Sequence, residues 1–424
     1  MPESPKVLIV GAGMGGLTLG LLLERIGVDF EIFERASCAK PLGAAMSIGP
    51  NILPLFEQLG MLDDIMKMSL PGRTMDVYNE DMTLVGRTDN TAFMEERSGF
   101  PPIMFSRPEL HRLLLSKIPA FRVHFNKRVL SVGQSDKGVL LRCTDGCTHE
   151  GDILIGADGA YSAVRQSLYE RLQKEELLPK SDTLSLNVGY SCMVGTTRPL
   201  SPEKFPMLKD DYAHFAVVVA EGKPHSVSVQ AERFCFGIVI QLHGAEKDET
   251  FRNSEWGPES LDSKNDRSAC HKMLPSAGQG AINAMQDAVI VANCIYDLES
   301  VSHKKIVAAL NDYKSQRYAH AKKQVQISSM VGKILYGQTW FEKFMRKAVF
   351  NWIPRSFEER SFIKSAAYRP QVNFLPFAEN RTNLKVLPQK LSSRQTEQRQ
   401  VQLKQQRQQQ QKQEEEGEEK RAEK

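Results

Sequence analysis

Val7–Val10 is an unbroken apolar run that stops at a cluster of glycines. A run of this kind predicts a strand covered on both faces, the situation of a parallel sheet. Leucines then recur at helical spacing from Leu17 to Ile26, and Gly27 ends the pattern. Asp29–Glu34 reads as a second strand. The segment is therefore strand, glycine-rich turn, helix, strand: a βαβ unit.

Residues 50–60 and 107–118 predict two more helices, the first kinked or restarted by Pro54. Val123–Val132 and Gly138–Cys143 read as a hairpin pair, and Asp152–Ile155 as another buried strand. The pattern changes from Thr183 to about His243. There Phe215–Val219, Ser226–Val229 and Phe234–Ile240 are β-rich, with a turn at 222–224, and predict a separate, largely antiparallel sheet. Helical patterns return over 281–298, 304–330 and 341–352. Leu391–Lys424 is rich in Gln, Glu, Lys and Arg, and reads as disordered or as a lone solvated helix. No sustained heptad supports a coiled coil there.

The 424 residues suffice for two or three domains, or for one large α/β domain with an appended unit. With 55 basic and 51 acidic residues the net charge is +4, too small at this size for a nucleic-acid footprint. Seven scattered cysteines argue against a disulfide framework and for a reducing, intracellular compartment. Cys143 and Cys147 flank a turn sequence, Thr-Asp-Gly, and no second Cys or His pair completes a zinc set. Val7–Leu23 is apolar enough to suggest a targeting segment. Its 17 residues fall short of the roughly 20 that span a bilayer, and it runs into Glu24 and Arg25 rather than a cleavage site.

Three motifs carry chemistry. Gly11-Ala-Gly-Met-Gly-Gly16 contains G-x-G-x-x-G, follows a strand, opens a helix, and has Glu34 18 residues past Gly16. Gly11 permits the tight turn, Gly13 lets backbone approach a pyrophosphate, and Gly16 lets helix and sheet pack closely. An acid at Glu34 suits ribose hydroxyls and disfavours a 2′-phosphate, so the expected dinucleotide is FAD or NAD. Second, the strand at Ile153–Ile155 ends in Ala157-Asp158-Gly159, ahead of Ser162 and Arg165. Asp158 can reach a ligand at the sheet's crevice or serve the backbone locally, and Ser162 can cap a helix. Third, Pro275-Ser-Ala-Gly278-Gln-Gly280-Ala281 is a glycine turn that starts a helix of small residues, suited to an anionic group. Cys270 and His271 lack companion ligands at metal spacing.

In this order the three motifs resemble the FAD-dependent monooxygenases of the aromatic-ring-hydroxylase class, the single-component flavoprotein hydroxylases. The likeness spans roughly residues 5–375. It implies an α/β fold: a Rossmann-like FAD-binding domain with an inserted, mostly antiparallel substrate-domain sheet and a C-terminal helical region. The corresponding boundaries are 5–182 and 267–330 for the FAD-binding domain, 183–266 for the sheet, 331–386 for the helical region and 387–424 for the tail. The resemblance assigns Gly11, Gly13, Gly16, Glu34 and the adjacent Arg35 to the adenosine half of FAD. It assigns Gly43–Ser47 to the flavin's surroundings, Arg107 (with Leu110) to contact with FAD, Asp158 and Gly159 to the handling of FAD and NAD(P)H, and Pro275, Gly278, Gly280 and Ala281 to the isoalloxazine ring. Arg317 in Tyr313-Lys-Ser-Gln-Arg317 matches a family Y-x-x-x-R, or is a surface arginine.

The implied activity is that of an oxidoreductase. NAD(P)H reduces FAD, O₂ adds as a C4a-hydroperoxide, and one oxygen passes to a small organic substrate by hydroxylation or epoxidation. No catalytic side chain is assigned, because the flavin carries the chemistry. One departure stands out. Arg267 and Ser268 occupy positions where the family has Gly-Asp, and 251–267 is polar where a strand should deliver that motif. A related flavin dehydrogenase or halogenase, or a non-catalytic flavin-binding product with a segment deleted before Ala269, are the alternatives. Residues 341–352 are amphipathic and basic, compatible with packing on the protein or with a membrane surface.

Overall fold

The computed structural model describes residues 4–39, 45–89, 91–159, 162–178, 190–219, 225–230, 233–241, 278–337, 339–352 and 355–396. The first unit forms as its pattern predicts, with β1 (Lys6–Val10), α1 (Met14–Arg25) and β2 (Asp29–Phe33). Then come β3 (Ala45–Ile48), α2 (Leu53–Gln58), α3 (Leu62–Lys67), β4 (Leu70–Asn79), β5 (Leu84–Asp89), α4 (Thr91–Ser98), β6 (Ile103–Ser106) and α5 (Arg107–Ser116). Pro54 and Pro108 sit in the first turns of α2 and α5, where a missing N–H costs nothing; Pro54 starts a helix. Strands β7 (Val123–His124), β8 (Val129–Ser135), β9 (Gly138–Cys143), β10 (Thr148–Gly151) and β11 (Ile153–Gly156) lead into α6 (Ala163–Lys174). The chain continues through β12 (Tyr190–Thr196), β13 (Ala213–Val219), β14 (His225–Gln230) and β15 (Arg233–Gln241). It then runs through α7 (Gln279–Tyr296), α8 (His303–Tyr336), α9 (Trp340–Trp352) and α10 (Arg355–Ala366).

The parallel sheet has the order β11-β1-β2-β7. Val10 lies opposite both Phe33 and Gly156, so three strands finish at one level. One face of this sheet meets α1, α5 and α7 in the main core, which contains Val7, Ile9, Leu17, Phe30, Leu110 and Val289. The other face carries Leu8, Val10 and Phe33, which pack on Val129, Leu141 and Cys143 of the small antiparallel sheet β10-β9-β8. Burial on both sides explains why β1 shows no alternation.

The larger sheet differs from the segment drawn from sequence. Its order is β12-β15-β14-β13-β4-β6-β3, with β5 also on β4. Strands from 190–241 thus continue into strands from 45–106, joined by the parallel pair β13 and β4. The insertion supplies only part of the sheet. Leu70–Asn79 gives no strand signal in the sequence because it is mostly half-buried and carries little alternation. The boundary at 330/331 falls inside α8, a continuous helix from His303 to Tyr336.

The boundary at 387 also moves. The chain after α10 is irregular yet docked: Gln58 Nε2 donates to the Val372 and Pro376 carbonyls, and Asn373 N donates to Asn293 Oδ1. Ser392 is fully buried, its hydroxyl on Asp297, and Arg394 bonds the Leu298 carbonyl. Gln389 Nε2 bonds Gln371 O and Asn373 Oδ1. Polar side chains make these contacts, so composition read the stretch as solvated. Residues 397–424 lie outside the described residues. A chain ending at Leu387 should melt several degrees below one ending at Thr396, since each lost hydrogen bond is worth about 0.5–1.5 kcal/mol. Equal melting temperatures would show that 388–396 contributes nothing.

Helix α9 packs on the protein through Arg346 and Phe350. Arg346 is buried and donates to the Leu335 and Gly337 carbonyls that end α8. Phe350 joins the cluster of Val77, Val217, Val239 and Leu335 on the large sheet. Among the described residues no helix is long and apolar enough to cross a membrane.

Candidate functional site

The parallel strands end at a crevice built largely of backbone. Gly11 N donates to Phe33 O and Ala157 N to Val10 O, both at 2.8 Å, so the turns after β1, β2 and β11 are laced together. Gly11 has φ +103°, and a Cβ there would lie 2.5 Å from Ala157 O. A Cβ on Gly16 would lie 2.0 Å from Gly11 O, so helix and turn touch backbone to backbone. Gly13 faces open space, its nearest neighbour Ala157 O at 4.0 Å. It caps α1 with no side-chain bond and no acid follows in the first turn, which leaves a bare, positively polarised helix end.

Glu34 stands beside this turn at the end of β2. Its Oε2 accepts from Ala12 N at 2.8 Å and its Oε1 from Ala36 N at 2.9 Å. The carboxylate therefore splints the glycine turn, while each oxygen keeps a further lone pair for a hydroxyl. Arg35 next to it is exposed. Lys127 N donates to Glu34 O, and Glu34 N to His124 O, which fixes the backbone that carries the acid.

Asp158 serves the backbone through one oxygen and holds the other without a donor among the described residues. Its Oδ2 accepts from Ala163 N at 2.7 Å and from Val164 N at 3.3 Å, capping α6. Its Oδ1 is buried with no partner among the described residues. A buried carboxylate oxygen left without a donor costs stability, and a ligand hydroxyl or N–H would satisfy it. Ser162 serves locally, its hydroxyl accepting from Arg165 N at 3.0 Å. Gly159 follows Asp158 on the crevice side of the strand end.

Arg107 begins α5, and one turn on His111 Nε2 donates to Ala12 O at 2.8 Å. Residues i and i+4 share a helix face, so this bond turns the Arg107 face toward the glycine turn. The sequence reading passed over His111; its only signal was the spacing from Arg107. Ser47 is exposed on β3, whose Ala45 pairs with Ser106 directly before Arg107. Gly43 and Pro275 lie outside the described residues, as does the polar stretch ending at Arg267 and Ser268.

A second helix end enters the same crevice. Gly278 caps α7 in a left-handed conformation (φ 61°) without a side-chain bond. Gly280 faces open space and Ala281 packs on the core. A Cβ on Gly15 would sit 3.0 Å from Ala284 Cβ, so α1 and α7 touch near their starts. Behind α7 lies Arg317, 1% exposed, which settles its alternatives in favour of an internal role. It bonds Asp287 Oδ1 at 2.6 Å, Tyr368 Oη at 2.9 Å, Asn283 Oδ1 at 3.0 Å and Gln286 Oε1 at 3.3 Å. Burial pulls its pKa down, but Asp287 and Tyr368 outweigh that and hold the guanidinium above its usual range. Gln286 Nε2 in turn donates to Asn51 O, tying α7 to the segment after β3.

The donor set matches an elongated ligand that carries both anionic and hydroxyl groups. Two bare helix ends attract phosphate or a ring that gains negative charge, and Glu34 and Asp158 offer acceptors for hydroxyls. The open face of Gly13 allows close backbone approach. These groups bind and orient.

A model for a FAD binding domain matches residues 4–219. The chain is 28% identical to the FAD-dependent monooxygenase ausM of Penicillium brasilianum over 422 aligned residues, covering 88% of this chain and 87% of that one. It is 26% identical to the FAD-dependent monooxygenase atmM of Aspergillus flavus, with the same shares covered. Among solved structures, Klebsiella pneumoniae HpxO complexed with FAD and uric acid superposes with a TM-score of 0.65 at 24% identity, covering 86% of this chain and 97% of that one.

Proposed function

Since the chain belongs to the FAD binding domain family, and within it to the FAD-dependent monooxygenases of the flavoprotein-hydroxylase type, we propose that it uses NAD(P)H and O₂ to hydroxylate or epoxidise a small organic substrate. The observation that carries this reading is the crevice at the strand ends, with two helix N-termini that have no side-chain cap and an Asp158 oxygen that has no partner among the described residues. In it, Gly11, Gly13 and Gly16 shape the turn that admits a pyrophosphate, and the α1 N–H groups neutralise it. Glu34, with Arg35 at its side, holds the adenosine ribose. Asp158 Oδ1 takes a hydroxyl of the flavin's sugar chain, with Gly159 giving it room. Arg107, aligned by His111, and Ser47 border the flavin. Gly278, Gly280 and Ala281 bring the α7 dipole to the ring, where it stabilises charge gained on reduction. FAD held by these residues would supply hydride acceptance and O₂ activation.

Three measurements test this. The purified protein should be yellow, consume NAD(P)H and O₂ together, and place labelled oxygen from O₂ in the product. Substrate oxidation with no oxygen inserted would instead mean a flavin dehydrogenase. A flavin-binding protein without catalysis is a second reading, favoured by Arg267 and Ser268 replacing the family's Gly-Asp. It requires R267G/S268D to restore substrate-stimulated NAD(P)H oxidation to a silent wild type.

Glu34→Ala should weaken FAD binding at least about tenfold, since a charge-assisted acceptor worth about 1.5–3 kcal/mol is lost along with both backbone bonds to the turn. Flavin fluorescence titration reads the affinity. An unchanged value would remove Glu34 from the site.

A further inference from the structure

Helix α9 is amphipathic in the inverted sense. Its charged Arg346 points inward to the end of α8, while Trp340, Phe341, Phe344, Met345 and Trp352 face outward. Trp340 is 79% exposed and Trp352 69%, values far from those of core aromatics. The rings touch one another: Trp340 and Phe341 meet edge-on at 5.9 Å, as do Phe344 and Trp352 at 5.8 Å. A contiguous aromatic stripe in water marks a surface that something covers.

We propose that α9 is an interfacial helix that seats the protein flat on an anionic lipid bilayer. The stripe has the composition of a membrane interface, with a tryptophan at each end, where an amphipathic ring sits at headgroup level. Its 13 residues, about 20 Å of helix, are too short to span and long enough to lie in the headgroup plane. Charge selects the partner. Among the described residues of α9 and α10, the exposed charged side chains are Lys347, Arg360 and Lys364, all basic, while Glu342 and Glu359 are half-buried. A second copy would bring these cations against their own kind; anionic headgroups complement them. Outward aromatic burial then supplies the apolar part of the affinity and the lysines the electrostatic part.

Flotation of the full chain with phosphatidylcholine vesicles, with and without phosphatidylserine, tests this. The wild type should float with both, and more strongly with phosphatidylserine. W340S/F344S/W352S should lose at least about tenfold in partitioning, because these three rings supply most of the apolar surface that would enter the interface. Those side chains face outward, so its melting temperature should hold. K347E should lose the phosphatidylserine preference and keep the weaker binding to neutral vesicles. A wild type that floats with neither vesicle overturns the proposal. So does a wild-type dimer by light scattering that the triple variant turns into a monomer, since a second copy would then cover the stripe.

Discussion

Arg317→Met should destabilise the protein by about 3–5 kcal/mol and release flavin as it does so. The side chain fills a site that is 1% exposed, and its donors reach Asp287, Asn283, Gln286 and Tyr368 together. Methionine approximates the volume, so most of the loss is the Asp287 carboxylate losing its guanidinium rather than a cavity. That magnitude is a large share of the 5–15 kcal/mol by which domains are stable. Three of the four partners lie in the first half of α7, whose cap is Gly278. Their release frees the helix end that enters the crevice, so flavin retention should fall with stability. Arg317→Lys keeps a charge without the planar fork and should recover only part of both. Asp287→Asn in the Arg317→Met background should restore part of the stability, because the buried charge that loses its guanidinium is gone. Urea midpoints for the wild type, Arg317→Met, Asp287→Asn and the double variant read the cycle, and a loss under about 1 kcal/mol for Arg317→Met would show the network is incidental.

The crevice was legible in sequence because its signals are local. Val7–Val10, the glycine spacing and Glu34 lie within one βαβ unit, and the parallel register brings Gly156 to the same level as Val10. What the sequence hid depends on distant partners. Leu70–Asn79 acquires its place in the large sheet from β13, far along the chain, and its half-burial leaves no clean period. Residues 387–396 dock through Ser392, Gln389 and Arg394, polar side chains that composition counts as solvated. His111 acts on a backbone carbonyl of the glycine turn, which imposes no pattern on the residues around it. Arg317 matched a motif, yet only tertiary packing decides whether an arginine on a long helix is surface or core. Spacing singles out Glu34, but its grip on Ala12 and Ala36 leaves no trace in the pattern, and that grip makes it part of the turn's own structure.

Gly16→Ala should abolish flavin retention outright. The new methyl would lie 2.0 Å from Gly11 O and 3.2 Å from its carbonyl carbon, so backbone rather than a side chain must yield. Gly11 has nowhere to go. Its N–H is held by Phe33 O, its φ is +103°, and its own Cβ direction points at Ala157 O. Any shift therefore breaks the lacing between β1, β2 and β11, and pulls Ala12 from Glu34. Overpacking alone costs about 1–3 kcal/mol, and forced backbone movement adds to it. Gly13→Ala separates the two consequences. A Cβ there meets nothing nearer than Ala157 O at 4.0 Å, so the apoprotein should fold with a near-normal melting temperature. The same methyl would occupy the open face that a pyrophosphate must approach, so flavin affinity should still drop. Flavin content per mole of protein and the melting temperature of each apoprotein distinguish the variants. A Gly16→Ala protein that retains full flavin would mean the cofactor binds away from this turn, and the crevice assignment would fall with it.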